Sequence, residues 1–162
     1  MPDQYLASID MGEWKKRRRD RLSSPGDKEF SFVAEDHKRV VGWTVGGPER
    51  NGNKEYVGEL YAIYLLEEYQ RRGIGRRLTA EVAGRLVGAD IGSMLMWVLA
   101  DNTSARRFYE ALGGQYVREQ DITIGGVSLV EVAYGWKDIT KLAQTKIMSL
   151  PDAGGPDTRC TR

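Results

Sequence analysis

Residues 56–77 of this chain read YVGELYAIYLLEEYQRRGIGRR, and this stretch decides the fold. Its first half, Tyr56 to Leu66, is the longest strand candidate, and it is apolar on both faces except at Glu59, as expected for a central strand. From Gly73 to about Gly88 the apolar residues recur every four positions, which indicates a helix. A central strand followed at once by a helix predicts an α/β unit.

The turn between these two elements, Gln70 to Arg76, has the composition of an anion-binding loop. Gly73 and Gly75 let the backbone approach a ligand closely, and the first N–H groups of the helix then point at it. Arginines around the turn suit phosphate oxygens. Leu78 replaces the third glycine of a dinucleotide fingerprint, and the nucleotide P-loop motif is absent. A diphosphate is the predicted guest, with a solvated helix start as the alternative.

Further strands and one more helix are predicted around this unit. The helix opens at Asn102 and turns Ala105, Phe108 and Leu112 inward. The predicted strands are Phe30–Glu35, Val40–Val45, Met94–Leu99, Tyr116–Ile124 and Val127–Trp136. Two short helices are expected within residues 3–22, and a disordered tail from Pro151. Residues 1–138 thus form one predicted domain, and residues 139–162 a partly disordered C-terminal extension.

Composition excludes several classes of protein. The chain has 162 residues, with 24 Lys+Arg against 23 Asp+Glu, so a strongly basic nucleic-acid-binding domain is not indicated. Cys160 is the single cysteine and His37 the single histidine, which excludes an internal disulfide and leaves a metal site unsupported. No apolar run approaches a membrane span, and the N-terminus lacks the layout of a signal peptide. We therefore expect a cytoplasmic protein with no nucleic-acid partner, no membrane and no metal.

Two motifs together carry a family resemblance. Tyr61 to Gly75 resembles the acetyl-CoA signature of the GNAT N-acetyltransferase superfamily, including its Gln/Arg-x-x-Gly-x-Gly core. Asn102 to Glu110 is similar to the second family motif, Asn-x-x-Ala-x-x-Phe-Tyr. The resemblance runs from about residue 28 to 137. It implies a GNAT-type α/β (α+β) fold, with a mixed, mostly antiparallel sheet flanked by helices.

The resemblance also implies acetyl-CoA as co-substrate and assigns residues to it. The pantetheine arm would lie along the central strand and bind its backbone, which is a form of strand addition. Asn102 would touch the same arm, although it is also placed to cap its helix. The implied cofactor-binding residues are Ile63, Tyr64, Leu65, Gln70, Arg71, Arg72, Gly73, Ile74, Gly75, Arg76 and Asn102.

Two residues are candidates for proton transfer. Glu59 is the one acid in the central strand and occupies the position of the catalytic glutamate in histone-type members, so it is the candidate base. The alternative is an ion-paired or edge-facing glutamate. Tyr109 is the candidate acid for the departing thiolate, and the alternative is a core tyrosine. We favour the acid because Phe108 is expected to fill the inward position.

The implied activity is acetyl transfer from acetyl-CoA to a primary amine by direct attack in a ternary complex. The acceptor stays open among a protein N-terminus, a lysine, a polyamine and an amine-bearing drug or metabolite. A catalytically weak CoA-binding regulatory module is the rival interpretation. The basic run Lys15–Arg21 is more typical of a solvated helix face than of a nucleic-acid patch.

The N-terminus departs from the family pattern. The first residues resemble the segment that follows the family's first helix, so the chain lacks about one strand and one helix by this comparison. An edge strand would then be left uncovered. A late recorded start, a fragment, or coverage by a partner chain (as in a homodimer) or by the C-terminal tail would each explain this.

Overall fold

The computed structural model describes residues 28–145 and the backbone of a strand at residues 158–161. The helices that the sequence predicts within residues 3–22 lie outside the described residues, as does most of the tail from Pro151.

Seven strands form one mixed sheet in this part of the chain. The order across the sheet is β5-β6-β4-β3-β2-β1-β7, and every neighbouring pair is antiparallel except β3 and β4. The strands are β1 (Phe30–Asp36), β2 (Arg39–Pro48), β3 (Gly58–Leu65), β4 (Met94–Leu99), β5 (Gln115–Ile124), β6 (Val127–Trp136) and β7 (Thr158–Thr161). The helices are α1 (Ile74–Val87), α2 (Thr103–Ala111) and α3 (Thr140–Gln144), and a single 3-10 turn at Glu67–Tyr69 precedes α1. The predicted α/β class with a mostly antiparallel sheet is confirmed.

Helix α1 lies against the sheet face formed by β1, β2 and β3. Its four-residue apolar repeat produces this packing, because Leu78, Val82 and Leu86 fall on one side and are fully buried. Gly46 on β2 makes the close approach possible, since a Cβ there would lie 2.5 Å from Cγ1 of Val82. The packing of α1 on the sheet therefore requires a glycine at position 46 as well as the apolar side chains of the helix.

The central strand is shorter than the sequence predicts. It runs from Gly58 to Leu65 with 8 residues, against 10 in each of β2, β5 and β6. The backbone N–H groups of Tyr56 and Val57 instead donate to side chains, at 3.0 Å to Asn53 Oδ1 and at 3.1 Å to Ser93 Oγ. These side chains replace the backbone acceptors of a neighbouring strand. Tyr56 and Val57 therefore lie in the loop before β3 and not in the strand.

The C-terminal tail differs from the expected disorder at one place. Thr158–Thr161 forms β7, which pairs with β1 in an antiparallel register running from Val33 opposite Thr161 to Asp36 opposite Thr158. The tail therefore covers the outer edge of β1 in the described part of the chain. The backbone groups of an edge strand can pair with almost any extended segment, so the sequence of β7 carries little signal of its own.

Two glycine substitutions test the packing of α1. We expect Gly46→Ala to lower the free energy of unfolding by about 1–3 kcal/mol, because the new methyl group collides with Val82. Gly84→Ala is the matched control, since Gly84 is an exposed residue of α1 and nothing lies within 4 Å of its Cβ position. It should stabilise the fold by up to about 1 kcal/mol. Thermal unfolding of both variants measures this, and equal shifts of the same sign would contradict the packing.

Candidate functional site

The parallel strands β3 and β4 separate soon after they meet. They pair at Gly58 with Met94 and at Glu59 with Leu95. Beyond that point, within the described residues, β3 pairs with β2 alone and β4 with β6 alone. The inner edges of the two strands therefore diverge and leave an opening in the middle of the sheet.

A β-bulge in β3 marks the start of this opening. Leu60 lies opposite Gly46 and Ala62 opposite Val45, so Tyr61 has no residue of its own opposite it. An extra residue reverses the alternation of side chains along the rest of a strand. Leu60, Ile63 and Leu65 accordingly all pack against the core.

A groove of about 980 Å³ lies beside the free edge of β3 from Ile63 to Leu65 and is also lined by the turn that leads into α1 and by α2. Its size falls within the range of small-molecule sites. Most of the sequence-predicted cofactor residues line it, namely Ile63, Tyr64, Leu65, Gln70, Arg71, Gly73, Gly75, Arg76 and Asn102. Tyr109 lines it as well. Three predicted residues lie outside this lining: Arg72, which lies over the ring of Tyr69, Ile74, which is buried in the core, and Glu59.

The turn before α1 leaves its backbone N–H groups available. Gly73 is the N-cap residue with a left-handed φ of 78°, and no side chain caps the helix there. The first turn of α1 contains no acidic residue, while Arg71 and Arg76 face the groove beside it. Unpaired N–H groups, the positive end of a helix dipole and two guanidinium groups together favour an anion such as a diphosphate.

Asn102 has the capping role that the sequence left open. Its Oδ1 accepts a hydrogen bond from the backbone N–H of Ala105 at 3.1 Å and so caps α2. The side chain is exposed and also lines the groove.

Tyr109 is the buried residue of α2, and Phe108 packs against the same core while only partly buried, so the prediction that Phe108 fills the inward position in place of Tyr109 is wrong. Tyr109 is 3% exposed, and its ring packs edge-on against Trp136 with centroids 6.4 Å apart. Phe108 is partly buried and lies beside Gly75, whose Cβ position is 3.2 Å from the Phe108 ring. Burial, and then the nearby Tyr64, raise the pKa of Tyr109 well above its usual range. The phenol thus stays protonated at neutral pH and can donate into the groove.

Glu59 is ion-paired and buried at the point where the strands separate. Its carboxylate is bound by Arg50, with Nη2 2.5 Å from Oε1 and Nε 3.2 Å from Oε2. The hydrogen bond to Glu59 is the main cause that raises the pKa of Arg50. The sequence does not identify Arg50 as the partner of Glu59, because Arg50 lies in a loop that carries no recognisable motif. The one available signal was that a glutamate in a buried strand needs a basic partner.

A metal centre finds no support in residues 28–145. No group of three or more His, Cys, Asp or Glu side chains is arranged to hold an ion there. His37 is 81% exposed in the turn between β1 and β2. Among the described helices, none combines the length and apolar character needed to cross a membrane.

Known proteins resemble this chain in sequence or in fold. An uncharacterized N-acetyltransferase, YuaI, of Bacillus subtilis (strain 168) is 42% identical over 143 residues, which cover 88% of this chain and 79% of YuaI. A mycothiol acetyltransferase of Rhodococcus opacus (strain B4) is 33% identical over 103 residues, which cover 62% of this chain but 33% of that protein. The crystal structure of Arabidopsis thaliana NAA60 in complex with acetyl-CoA superposes with a TM-score of 0.58 and 18% identity, and the match covers 78% of this chain and 92% of NAA60.

A family model agrees with these likenesses. The model described as "Acetyltransferase (GNAT) family" matches residues 3–114, which include both sequence motifs and the groove. The chain therefore belongs to the acetyltransferase (GNAT) family and is an N-acetyltransferase.

Proposed function

We propose that this chain transfers the acetyl group of acetyl-CoA to a primary amine by direct attack in a ternary complex. The observation that supports this best is the groove itself. It lies along the free edge of β3 from Ile63 to Leu65, is lined by Tyr109 and includes the uncapped start of α1. The acceptor is proposed only as a class, the primary amine of a peptide or protein, a polyamine or a small molecule.

The groove fits the three parts of the donor. The free edge of β3 at Ile63 and Leu65 offers backbone groups to the amides of the pantetheine arm. The turn from Gln70 to Arg76 would hold the diphosphate through its N–H groups and arginines. With both ends so placed, the thioester comes to lie between Ile63 and the point where the strands separate.

The reaction needs two proton transfers and one oxyanion donor. An amine of the lysine type is protonated at neutral pH and must lose a proton before it attacks, and Glu59 accepts that proton directly or through water. The new N–C bond forms as a backbone N–H near Ile63 stabilises the oxyanion. The C–S bond then breaks, and the Tyr109 phenol protonates the departing sulfur.

The left-handed turn residue provides a test of donor binding. Saturating acetyl-CoA, at 100 times its Kd, should stabilise the protein by about 2.7 kcal/mol in thermal unfolding. Gly73→Ala forces an alanine into a φ of 78°, so the turn should relax and the affinity for acetyl-CoA fall about fivefold to tenfold.

Gly52→Ala is the matched control for that variant. Gly52 has a φ of 75°, and, as at Gly73, nothing lies within 4 Å of its Cβ position. Both variants should lose similar stability, but Gly52→Ala should keep the affinity of the wild type. Equal affinities in both variants would argue against a diphosphate at the start of α1.

Tyr109→Phe tests the catalytic step. The variant keeps the ring and its packing but loses the proton donor, so kcat should fall about 100-fold while the KM for acetyl-CoA stays constant. Release of the CoA thiol over a panel of primary amines measures both constants. Tyr116→Phe removes a phenol hydroxyl from a 57% exposed side chain on β5 and should be fully active. A fully active Tyr109→Phe enzyme would exclude the phenol as the acid.

The pH dependence follows from the direction of the Tyr109 shift. Because its pKa is raised, the phenol keeps its proton to higher pH than a free tyrosine, which titrates near pH 10. The amine meanwhile loses its proton as the pH rises. We expect kcat/KM to increase between about pH 7 and pH 9 without an alkaline decline. A decline with a midpoint below about pH 9 in the wild type would contradict this assignment.

A further inference from the structure

Asp36, the last residue of β1, carries a buried carboxylate that the proposed reaction does not use. Its side chain is 8% exposed. Oδ2 accepts a hydrogen bond from the Tyr69 phenol at 2.7 Å, whereas Oδ1 has no hydrogen-bond partner among the described residues. The exposed ring of His37 lies 3.6 Å from Oδ1. Because a buried carboxylate is costly without hydrogen bonds, the contact with Tyr69 is the one that compensates its burial.

The hydrogen bond from Tyr69 to Asp36 is short and joins distant parts of the chain. Its length of 2.7 Å lies within the range of O–H bonds to a carboxylate, which are about twice as strong as bonds between neutral groups. The same bond is the main cause that raises the pKa of Tyr69, so the phenol remains a donor at neutral pH. It ties the end of β1 to the end of the 3-10 turn at Glu67–Tyr69, directly before the proposed diphosphate turn.

The diphosphate turn has a conformation that needs support from outside itself. Besides Gly73, Arg71 lies in the left-handed region, with a φ of 59°. A residue with a long side chain rarely adopts this conformation, and it persists where the surrounding structure holds it in place. Tyr69 is separated from Arg71 by a single residue, so an anchor at Tyr69 acts directly on this strained position.

The ring of Tyr69 also separates two adjacent arginines. The guanidinium of Arg72 lies over this ring, 5.2 Å from its centre, and Arg72 is outside the lining of the groove. Arg71 lines the groove. A cation over an aromatic face is attracted to it, so a fixed Tyr69 ring keeps Arg72 on one side of the turn and leaves Arg71 to the other.

We propose that Asp36 and Tyr69 are positioning residues that hold the Gln70–Arg76 turn in the conformation that receives the diphosphate of the donor. This rests on the proposed function, which puts the diphosphate at this turn. Neither residue lines the groove, so both act through Arg71 and the backbone of the turn. A turn that already has its bound conformation loses less conformational entropy on binding, and the affinity for the donor is correspondingly higher.

Two other contacts of the 3-10 turn do not replace this hydrogen bond. Arg39 pairs with Glu68 at 3.3 Å, but their side chains are 62% and 55% exposed, and exposed ion pairs contribute little. The backbone N–H of Leu66 donates to the carbonyl of Val41 at 2.9 Å, which fixes the start of the 3-10 turn and not its end. The bond to Asp36 is thus the buried polar contact beside the diphosphate turn.

Tyr69→Phe is the first test, because it keeps the ring and removes the hydroxyl. The Kd of acetyl-CoA should rise about fivefold to tenfold, since the free turn is no longer held in its bound conformation. The KM for S-acetylpantetheine, which lacks the diphosphate, should stay at the wild-type value, and so should kcat at saturating acetyl-CoA. Calorimetric titration gives the Kd, and release of the free thiol from each donor gives the kinetic constants.

Tyr61→Phe is the matched control. It also removes the hydroxyl of a partly buried tyrosine, which donates to the carbonyl oxygen of Pro48, and Tyr61 is outside the lining of the groove. Thermal unfolding should show a similar loss of stability in both variants. The ratio of the constants for acetyl-CoA and S-acetylpantetheine should change in Tyr69→Phe and remain that of the wild type in Tyr61→Phe.

Substitutions of Asp36 test the other side of the hydrogen bond. Asp36→Asn keeps an oxygen that accepts from the Tyr69 phenol and should retain most of the affinity for acetyl-CoA. Asp36→Ala removes the acceptor and should lose as much affinity as Tyr69→Phe. The double variant leaves no buried carboxylate without a partner, so it remains testable if Tyr69→Phe alone does not fold. It should lose no more affinity than either single variant, because both remove the same interaction.

The turn can also be followed without a ligand. The backbone N–H of Gln70 donates to the carbonyl of Glu67 at 3.0 Å. Its hydrogen exchange in the free protein should be faster in Tyr69→Phe than in Tyr61→Phe, because local opening of the turn becomes easier.

The outcomes separate this inference from the proposed function. A Tyr69→Phe protein with the wild-type affinity for acetyl-CoA and the wild-type exchange rate at Gln70 overturns the inference. An equal loss with acetyl-CoA and S-acetylpantetheine also overturns it, because the effect is then on the fold as a whole. A wild-type protein that does not bind acetyl-CoA overturns the proposed function instead. The exchange rate at Gln70 then decides by itself whether the hydrogen bond holds the turn.

Discussion

The separation of β3 from β4 after two residue pairs is the constraint on which the rest of this structure depends. Each residue of a strand carries one donor and one acceptor, and buried backbone groups without partners destabilise a fold. In a sheet that opens in its middle, the backbone groups along the free edge of β3 therefore need hydrogen-bond partners, either from water or from a ligand with amide groups. In the proposed function, the amides of the pantetheine arm of acetyl-CoA fill this role, and the gap that weakens the sheet serves as the binding site.

Several local features keep the gap from spreading. Antiparallel ladders on the outer side of each strand hold β3 to β2 and β4 to β6 over their full lengths. Helix α1 packs below β3 and places its N-terminus at the far end of the groove. The Arg50–Glu59 pair reinforces the point where the two strands separate, because both oxygens of the buried carboxylate are bound by a residue of the loop that follows β2. The gap between β3 and β4 is thus confined by the strands, the helix and the ion pair around it.

The sequence predicted this scaffold well where local chemistry determines structure. Met94–Leu99 was predicted with the observed bounds because a continuous apolar run between polar turns leaves few alternatives. The Asn102 cap and the glycine turn before α1 are equally local. Arg50 was missed because its partner is set by tertiary folding. The burial of Tyr109 was missed because two adjacent aromatic residues fit the same helical period, and only the packing against Trp136 of β6 shows that Tyr109 is the more deeply buried of the two.

The pairing of β7 with β1 joins the two ends of the described chain, with Thr161 opposite Val33. During synthesis, the strands near Val33 are made long before Thr158–Thr161, so the outer edge of β1 is exposed while the rest of the sheet assembles. An exposed edge is where nascent chains associate with one another. For a contact of such high sequence separation, closure is also slow. During synthesis, β1 thus stays without this partner until Thr158–Thr161 has been made, and the solubility of the nascent chain depends on how long that edge stays unpaired.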